Sequence, residues 1–287
     1  MSIADFGVHF RLDDNLVHVA ASVNGAPVSA VLDSGTGGVL LDLAAAERLH
    51  VVQGASSGSA IGGGSGSQQL FPLKISNVEV GGAKLSNVSG FALDLQGLSK
   101  SAGFPIEVLV GEPLFGSHIV KINYPARVVE LQPSESSVTC RAPIPLTLSN
   151  GVPLAEVTIR AVKDGPSSSL HLIVDLGTRH FAAMIGGPFL KTAAGKTLLK
   201  TGLQQQIGTG TGGTISGTIV RVPELQVGEK RYSELEVALT DEVKAFETGF
   251  ADGSLGVPLW SSSVVTFDYP HHSLCIEQPS QPAGPAT

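Results

Sequence analysis

The stretch "AVLDSGTGGVLLD", residues 30–42, places one carboxylate between an apolar run and a glycine-rich turn. Val31 and Leu32 read as the end of a strand, and the five residues Ser34-Gly35-Thr36-Gly37-Gly38 must turn sharply. Asp33 therefore sits where a strand gives way to a loop. A charge there has to be capped, bound or used.

A repeat within the chain narrows the choice. In "HLIVDLGTRHFAAM", Leu172, Ile173 and Val174 run into Asp175, followed by Leu176-Gly177-Thr178, so Asp175 mirrors Asp33. A longer match supports the pairing. "VLVGEPLFGSHIVKINYPARVVEL" (108–131) aligns without a gap on "GSLGVPLWSSSVVTFDYPHHSLCI" (253–276), bringing Gly111 onto Gly256, Pro113 onto Pro258 and Tyr124-Pro125 onto Tyr269-Pro270. The offsets agree: the two Asp residues are 142 positions apart and the two glycines 145. One lobe has been duplicated, and each copy carries one Asp. A lone Asp before glycine is most simply a turn residue accepting backbone N–H bonds; two in matched contexts point to a working pair.

The 287 residues, 42% hydrophobic, can bury one large core or two small ones. Thirty-five glycines and 17 prolines favour many short strands and turns over long helices. A net charge of −7 and the lack of any Lys/Arg run argue against nucleic acid or an anionic membrane as partner. No apolar run reaches the length of a membrane span, and "MSIADFGVHF" lacks the basic start and apolar core of a secretory signal. A soluble chain without a signal in the given sequence is expected, and the sequence leaves the compartment open. Cys140 and Cys275 make no disulfide framework, and two free thiols are the expectation. Asn87-Val88-Ser89 is a formal glycosylation sequon.

The order of elements follows from punctuation and alternation. "GVHFRL" turns at Asp13-Asp14-Asn15 into "LVHVAASV", and Asn24-Gly25 turns into the strand that delivers Asp33. "LDLAAAERLHV" reads as a short helix. A strand pair follows whose tip, 61–67, is nearly all glycine and serine. The second half repeats the plan, with a helix-like "GGPFLKTAAGKTLL" and its own glycine-rich tip at 208–213. The expected division is an N-terminal lobe at 6–132, a linker at 133–145, a C-terminal lobe at 146–278 and a disordered tail at 279–287.

Other chemistries fit poorly. Neither "IGGGSGSQ" nor "IGTGTGGT" has the Lys-Ser/Thr of a phosphate loop, and neither lies between a strand and a long helix. His271-His272 occupies a turn, and adjacent side chains on a strand face opposite ways, so no metal site is expected. "GGGSGS" matches the letters of a nucleophile elbow, but in a hairpin instead of a strand-to-helix turn.

The carboxylate pair remains. Two Asp residues brought face to face cannot both ionise and share one proton, as in the coupled dyads that define this behaviour. The ionised member can take a proton from a water between them while its partner donates to a carbonyl oxygen. The hydroxyls of Thr36 and Thr178 can bond the outer carboxylate oxygens, and the glycine-rich hairpins can cover an extended substrate.

Asp33-Ser34-Gly35-Thr36, Leu109-Val110-Gly111, "KINYP" and "ADGSLGVPLWSSSVVTFDYP" together resemble the retropepsin-like aspartic proteases, and more narrowly the bacterial aspartyl-protease-like proteins with both lobes in one chain. The resemblance runs from about Val8 to Glu277. It implies an all-β fold of two homologous retropepsin/pepsin-like lobes related by a pseudo-two-fold axis, with short helices. It also implies an aspartic endopeptidase with Asp33 and Asp175 as catalytic pair and Ser34, Gly35, Thr36, Gly177, Thr178, Gly111 and Gly256 in support. Gly62, Gly63, Gly64, Gly210, Gly212 and Gly213 would form the flaps. No metal or other cofactor is implied, and the partner is an extended peptide bound to a monomer with an internal pseudo-dimer. Leu176 departs from the pattern, standing where the family has Thr or Ser, whose hydroxyl bonds across to the opposite lobe. It motivates an alternative, a catalytically degenerate peptide-binding module. Neither flap tip carries the tyrosine that pepsin-like enzymes place over substrate.

Overall fold

The computed structural model describes residues 6–51, 54–56, 58–60, 63–64 and 66–279. The expected tail lies almost wholly outside this range, as do Ile61, Gly62 and Ser65 of the first glycine-rich tip. Among the described residues no helix is long and apolar enough to cross a membrane.

Strands dominate, and alternation explains them. In Leu16–Val23 the side chains of Val17, Val19 and Val23 are buried on one face. The chain reverses at Asn24-Gly25, both with positive φ (50° and 82°), the twist a two-residue hairpin needs. Strand Ala26–Leu32 then pairs antiparallel with Leu16–Val23, and its neighbour on the other side is the parallel strand Val108–Val110. Val28, Ala30 and Leu32 point into the core, while Val31 faces the opposite side with Leu16 and Leu109. The strand is thus buried on both faces where it delivers Asp33.

Eight strands form the N-terminal sheet and eight the C-terminal sheet, and the two orders correspond one to one. Ala26–Leu32 next to Val108–Val110 in the first is matched by Ser167–Val174 next to Gly253–Leu255 in the second. A third, six-stranded sheet is shared. Three strands come from each half, and the halves meet where His118–Asn123 pairs antiparallel with Val264–Asp268. The arrangement is symmetric about that seam. Two lobes related in this way, all-β with short helices such as Leu43–Arg48 and Ala193–Leu199, make the acid-protease fold.

The first strand departs from the simple hairpin expected of "GVHFRL". Phe6–His9 joins the shared sheet against Val128–Pro133, and only Arg11–Asp13 pairs with Leu16–Val23. Phe10, between them, is buried edge-to-face on Tyr124 at 5.9 Å. One core runs beneath both lobes, with Trp260, Tyr124, Tyr269, Phe115 and Phe267 among its largest buried side chains.

The expectation of two free thiols is corrected. Cys140 and Cys275 form a disulfide, with Cα atoms 6.0 Å apart. Sequence spacing could not reveal it, because Cys275 lies in strand Ser273–Glu277, whose partner Ile144–Pro145 is what draws the connecting segment alongside. The bond closes the connection between the lobes onto the last strand.

Candidate active site

The two Asp loops are built alike. Asp33 N–H donates to Val110 O and Asp175 N–H to Leu255 O, each at 3.0 Å, so the apolar-apolar-Gly segment behind each Asp anchors its backbone. Gly111 and Gly256 continue those segments, donating to Gly38 O and Ala182 O. Each carboxylate is gripped by its own loop. Gly35 N–H and Thr36 Oγ1 donate to Asp33 at 3.0 and 2.9 Å. Gly177 N–H and Thr178 Oγ1 donate to Asp175 at 2.7 and 2.8 Å.

The two carboxyl groups lie side by side: a Cβ on Gly177 would lie 3.0 Å from Asp175 Oδ1 and 3.3 Å from Asp33 Oδ1. A Cβ on Gly35 would lie 2.6 Å from Asp175 Oδ1, so only glycine lets the opposite carboxylate approach. Both carboxyls are pushed above the ordinary range. For Asp33 the causes are burial first and then the charge of Asp175, which together carry it to about 7. For Asp175 burial is again the largest cause, opposed by its hydrogen bonds to Thr178 and Gly177. Two buried carboxyls this close titrate as a pair, not as separate groups.

The two loops are locked from one side. Ser34 is fully buried; its Oγ donates to Val174 O at 2.7 Å and accepts from Leu176 N–H at 3.0 Å. Leu176, its counterpart, is equally buried but packs in the core, so no hydroxyl returns the bond. Tyr269 adds a contact, its hydroxyl donating to Ser34 O at 3.1 Å.

Above the pair the glycine-rich tips meet. Gly66 N–H donates to Gly212 O and Gly212 N–H to Gly63 O, both at 2.8 Å. Gly64 and Gly210 belong to the same contact, and Gly213 follows the turn. Gly62 lies outside the described residues. The tips lack anchoring side chains, as the sequence indicates, yet their backbones hold each other.

Between tips and carboxyls lies a cavity of about 460 Å³. Leu16, Val31, Leu98 and Leu109 line one side, and Ile173, Phe181, Ile207 and Phe246 the other. Among the described residues the one Cys/His/carboxylate cluster is Cys140, Cys275 and Glu277, whose thiols are spent in the disulfide.

Ser254 and Arg179 escaped the sequence reading. Ser254 Oγ lies 2.7 Å from Thr178 Oγ1, behind Asp175. The signal was present: the repeat aligns Ser254 with Leu109 and Arg179 with Gly37, and a polar residue replacing an apolar or bare one beside a motif asks for a reason.

A second constellation does not make a site. Asp13 Oδ2, His18 Nδ1, His18 Nε2 and Ser29 Oγ follow in hydrolase order at 3.0 and 2.7 Å. The hydroxyl, however, donates to Pro105 O, and Ser29 N–H donates to Glu107 Oε2. A carboxylate stands where an oxyanion would need donors. The set ties the hairpin to the loop ahead of Val108–Val110.

The paired loops sit at matching places in the two lobes of this acid-protease fold. The family model described as "Aspartyl protease" matches residues 19–113, the part of the chain that carries Asp33 and Gly111. The resemblance to aspartic proteases thus holds in a family model over the first lobe. A retropepsin-like aspartic protease from Rickettsia conorii, known from a crystal structure, is similar at 16% identity and a TM-score of 0.33, over 45% of this chain and 89% of that one. No curated protein matches the chain.

Proposed function

We propose that the chain is an aspartic endopeptidase in which Asp33 and Asp175 act as one acid–base pair, within lobes spanning residues 6–132 and 146–278. The observation that carries this reading is two carboxyls from matched loops placed against one another in a single cavity, so close that a Cβ on Gly35 would lie 2.6 Å from Asp175 Oδ1. The ionised member takes a proton from a water held between them, and the water oxygen bonds to the peptide carbonyl carbon. The other member gives its proton to the carbonyl oxygen. Collapse of the tetrahedral intermediate breaks the C–N bond, and the departing nitrogen receives a proton from the pair. The Gly35 and Gly177 N–H groups hold Oδ1 of their carboxylates and the Thr36 and Thr178 hydroxyls hold Oδ2, so each carboxylate is fixed in orientation through both its oxygens. An extended peptide fits beneath the paired tips, with apolar side chains against Leu98 and Leu109 on one side and Phe181 and Phe246 on the other.

A second reading is favoured by Leu176: a peptide-binding module on the same scaffold that no longer cleaves. Turnover of a mixed peptide library from about pH 3 to about 7 separates them. The endopeptidase reading requires cleavage that Asp33→Asn and Asp175→Asn each abolish. Binding without cleavage by the parent supports the module.

A further inference from the structure

The loop that follows Asp175 is held to the first lobe at a second place, away from the carboxyls. Arg179 is a cation only 5% exposed. Its Nη1 lies 2.7 Å from Asp14 Oδ2, an ion pair by distance more than an aligned hydrogen bond, and its Nη2 donates to Ser101 Oγ at 2.7 Å. Its carbonyl accepts from Asn15 Nδ2 at 2.8 Å, and the next residue, His180, sets Nε2 3.1 Å from Asp14 Oδ1. Every one of these partners belongs to the first lobe. Asp14 and Asn15 form the turn between Arg11–Asp13 and Leu16–Val23, and Ser101 lies in helix Gln96–Ala102.

The other lobe has no equivalent. Gly37 occupies the matching position, and the turn of the second lobe rests on its bare backbone, where a Cβ would lie 2.5 Å from Asn150 O. The hold is therefore one-sided. It acts on the loop whose own hydroxyl is missing at Leu176.

We propose that Arg179 is a positioning residue that registers Asp175 against Asp33, supplying the lobe-to-lobe hold that Leu176 cannot make. The proposal rests on the dyad reading above. A guanidinium hydrogen-bonded through Nη2 to one element and ion-paired through Nη1 to another is held from two sides of its planar fork. A cation so deeply buried is retained at a desolvation cost, which a merely solvated surface arginine would not bear.

The test compares Arg179→Met, Arg179→Lys and Asp14→Asn in the parent and in a Leu176→Thr background, on a cleaved peptide well below the unfolding transition. Arg179→Met is expected to lower kcat about 10- to 100-fold with KM nearly unchanged, as for a catalytic group displaced by about 1 Å. Arg179→Lys should recover part of the loss. Asp14→Asn combined with Arg179→Met should be no worse than Arg179→Met alone, and the loss should shrink when threonine occupies position 176. Parental kcat, a change in KM alone, or an equal loss in both backgrounds overturns the proposal. Should Leu176→Thr fail to fold, amide exchange decides: Leu176 and Gly177 must exchange faster in Arg179→Met while the core strands do not. Should the parent cleave no peptide, the dyad reading fails by itself and carboxyl-carbon NMR tests the hold. The coupled titration of Asp33 and Asp175 must then move toward the ordinary range in Arg179→Met, and an unchanged curve overturns it.

Discussion

The indole N–H of Trp260 donates to the hydroxyl of Tyr124 at 3.2 Å, across the seam between the lobes. The repeat puts Phe115 in the place of Trp260 and Tyr269 in that of Tyr124. There the rings stack at 5.3 Å, and the Tyr269 hydroxyl turns to Ser34 O. The same aromatic pair is built twice but satisfied differently. Trp260→Phe should leave the Tyr124 hydroxyl buried and lacking its donor, at a cost of about 1–3 kcal/mol. Urea unfolding measures it, and an unchanged midpoint would show that the hydroxyl finds another partner.

The raised titration of the carboxyl pair makes stability, and on the proposed reading turnover, depend on pH. On the proposed endopeptidase reading catalysis needs one proton on the pair, so turnover should fall as pH rises through about 7. Stability has the same sign. The folded state binds the proton more tightly than the unfolded chain does, so stability is greatest below the unfolded carboxyl range and falls as pH climbs toward 7. Asp33→Asn removes the charge that must be buried. Its thermal midpoint should exceed the parent's at pH about 8 and approach it near pH about 4. A variant less stable than the parent at the higher pH would contradict the raised titration.

Leu176→Thr tests the unreturned bond. The Ser34 N–H has no hydrogen-bond partner among the described residues. A threonine hydroxyl would offer it an acceptor, worth about 1 kcal/mol, against a similar cost for the smaller apolar side chain. Stability should therefore stay within about 1–2 kcal/mol of the parent while turnover rises. Loss of both would mean that leucine is integral to the lobe contact.

Much of this architecture is legible in the sequence itself. The paired Asp loops could be read because the repeat preserves a strand, a sharp turn and a crossing segment at a fixed offset, and local sequence determines each of those. The half-lock at Ser34 followed from one letter, Leu176. What stayed hidden depends on contacts between distant segments. Arg179 meets Asp14 over 165 positions of chain, and Cys140 meets Cys275 over 135, and no local pattern encodes either. The two-sheet role of residues 6–13 was equally invisible, because Phe10 breaks an otherwise smooth alternation only when Tyr124 packs against it.

Gly212→Ala probes the meeting of the tips. Its Cβ would lie 2.6 Å from Gly66 O and 3.0 Å from Gly63 O, so the tips must part. The Gly66 amide should lose its protection from hydrogen exchange, and turnover should fall about tenfold as water reaches the site. Retained protection would show that the tips close in another register.

Reducing the disulfide should lower stability by about 3–5 kcal/mol, given the long loop it closes. Denaturant unfolding with and without a thiol reductant is the measurement. No change in midpoint would mean that the shared sheet alone fixes the connection.

The seam at His118–Asn123 and Val264–Asp268 has a further consequence. A half-molecule ending before the connecting segment would expose His118–Asn123 as a bare edge, open to the same strand of a second copy. In the intact chain that encounter is intramolecular, at an effective concentration no dilution can lower. A symmetric pair of identical halves must carry every residue twice; a fused pair need not. The halves can therefore differ at matching positions, as Ser34 and Leu176, Leu109 and Ser254, and Gly37 and Arg179 do within one fold.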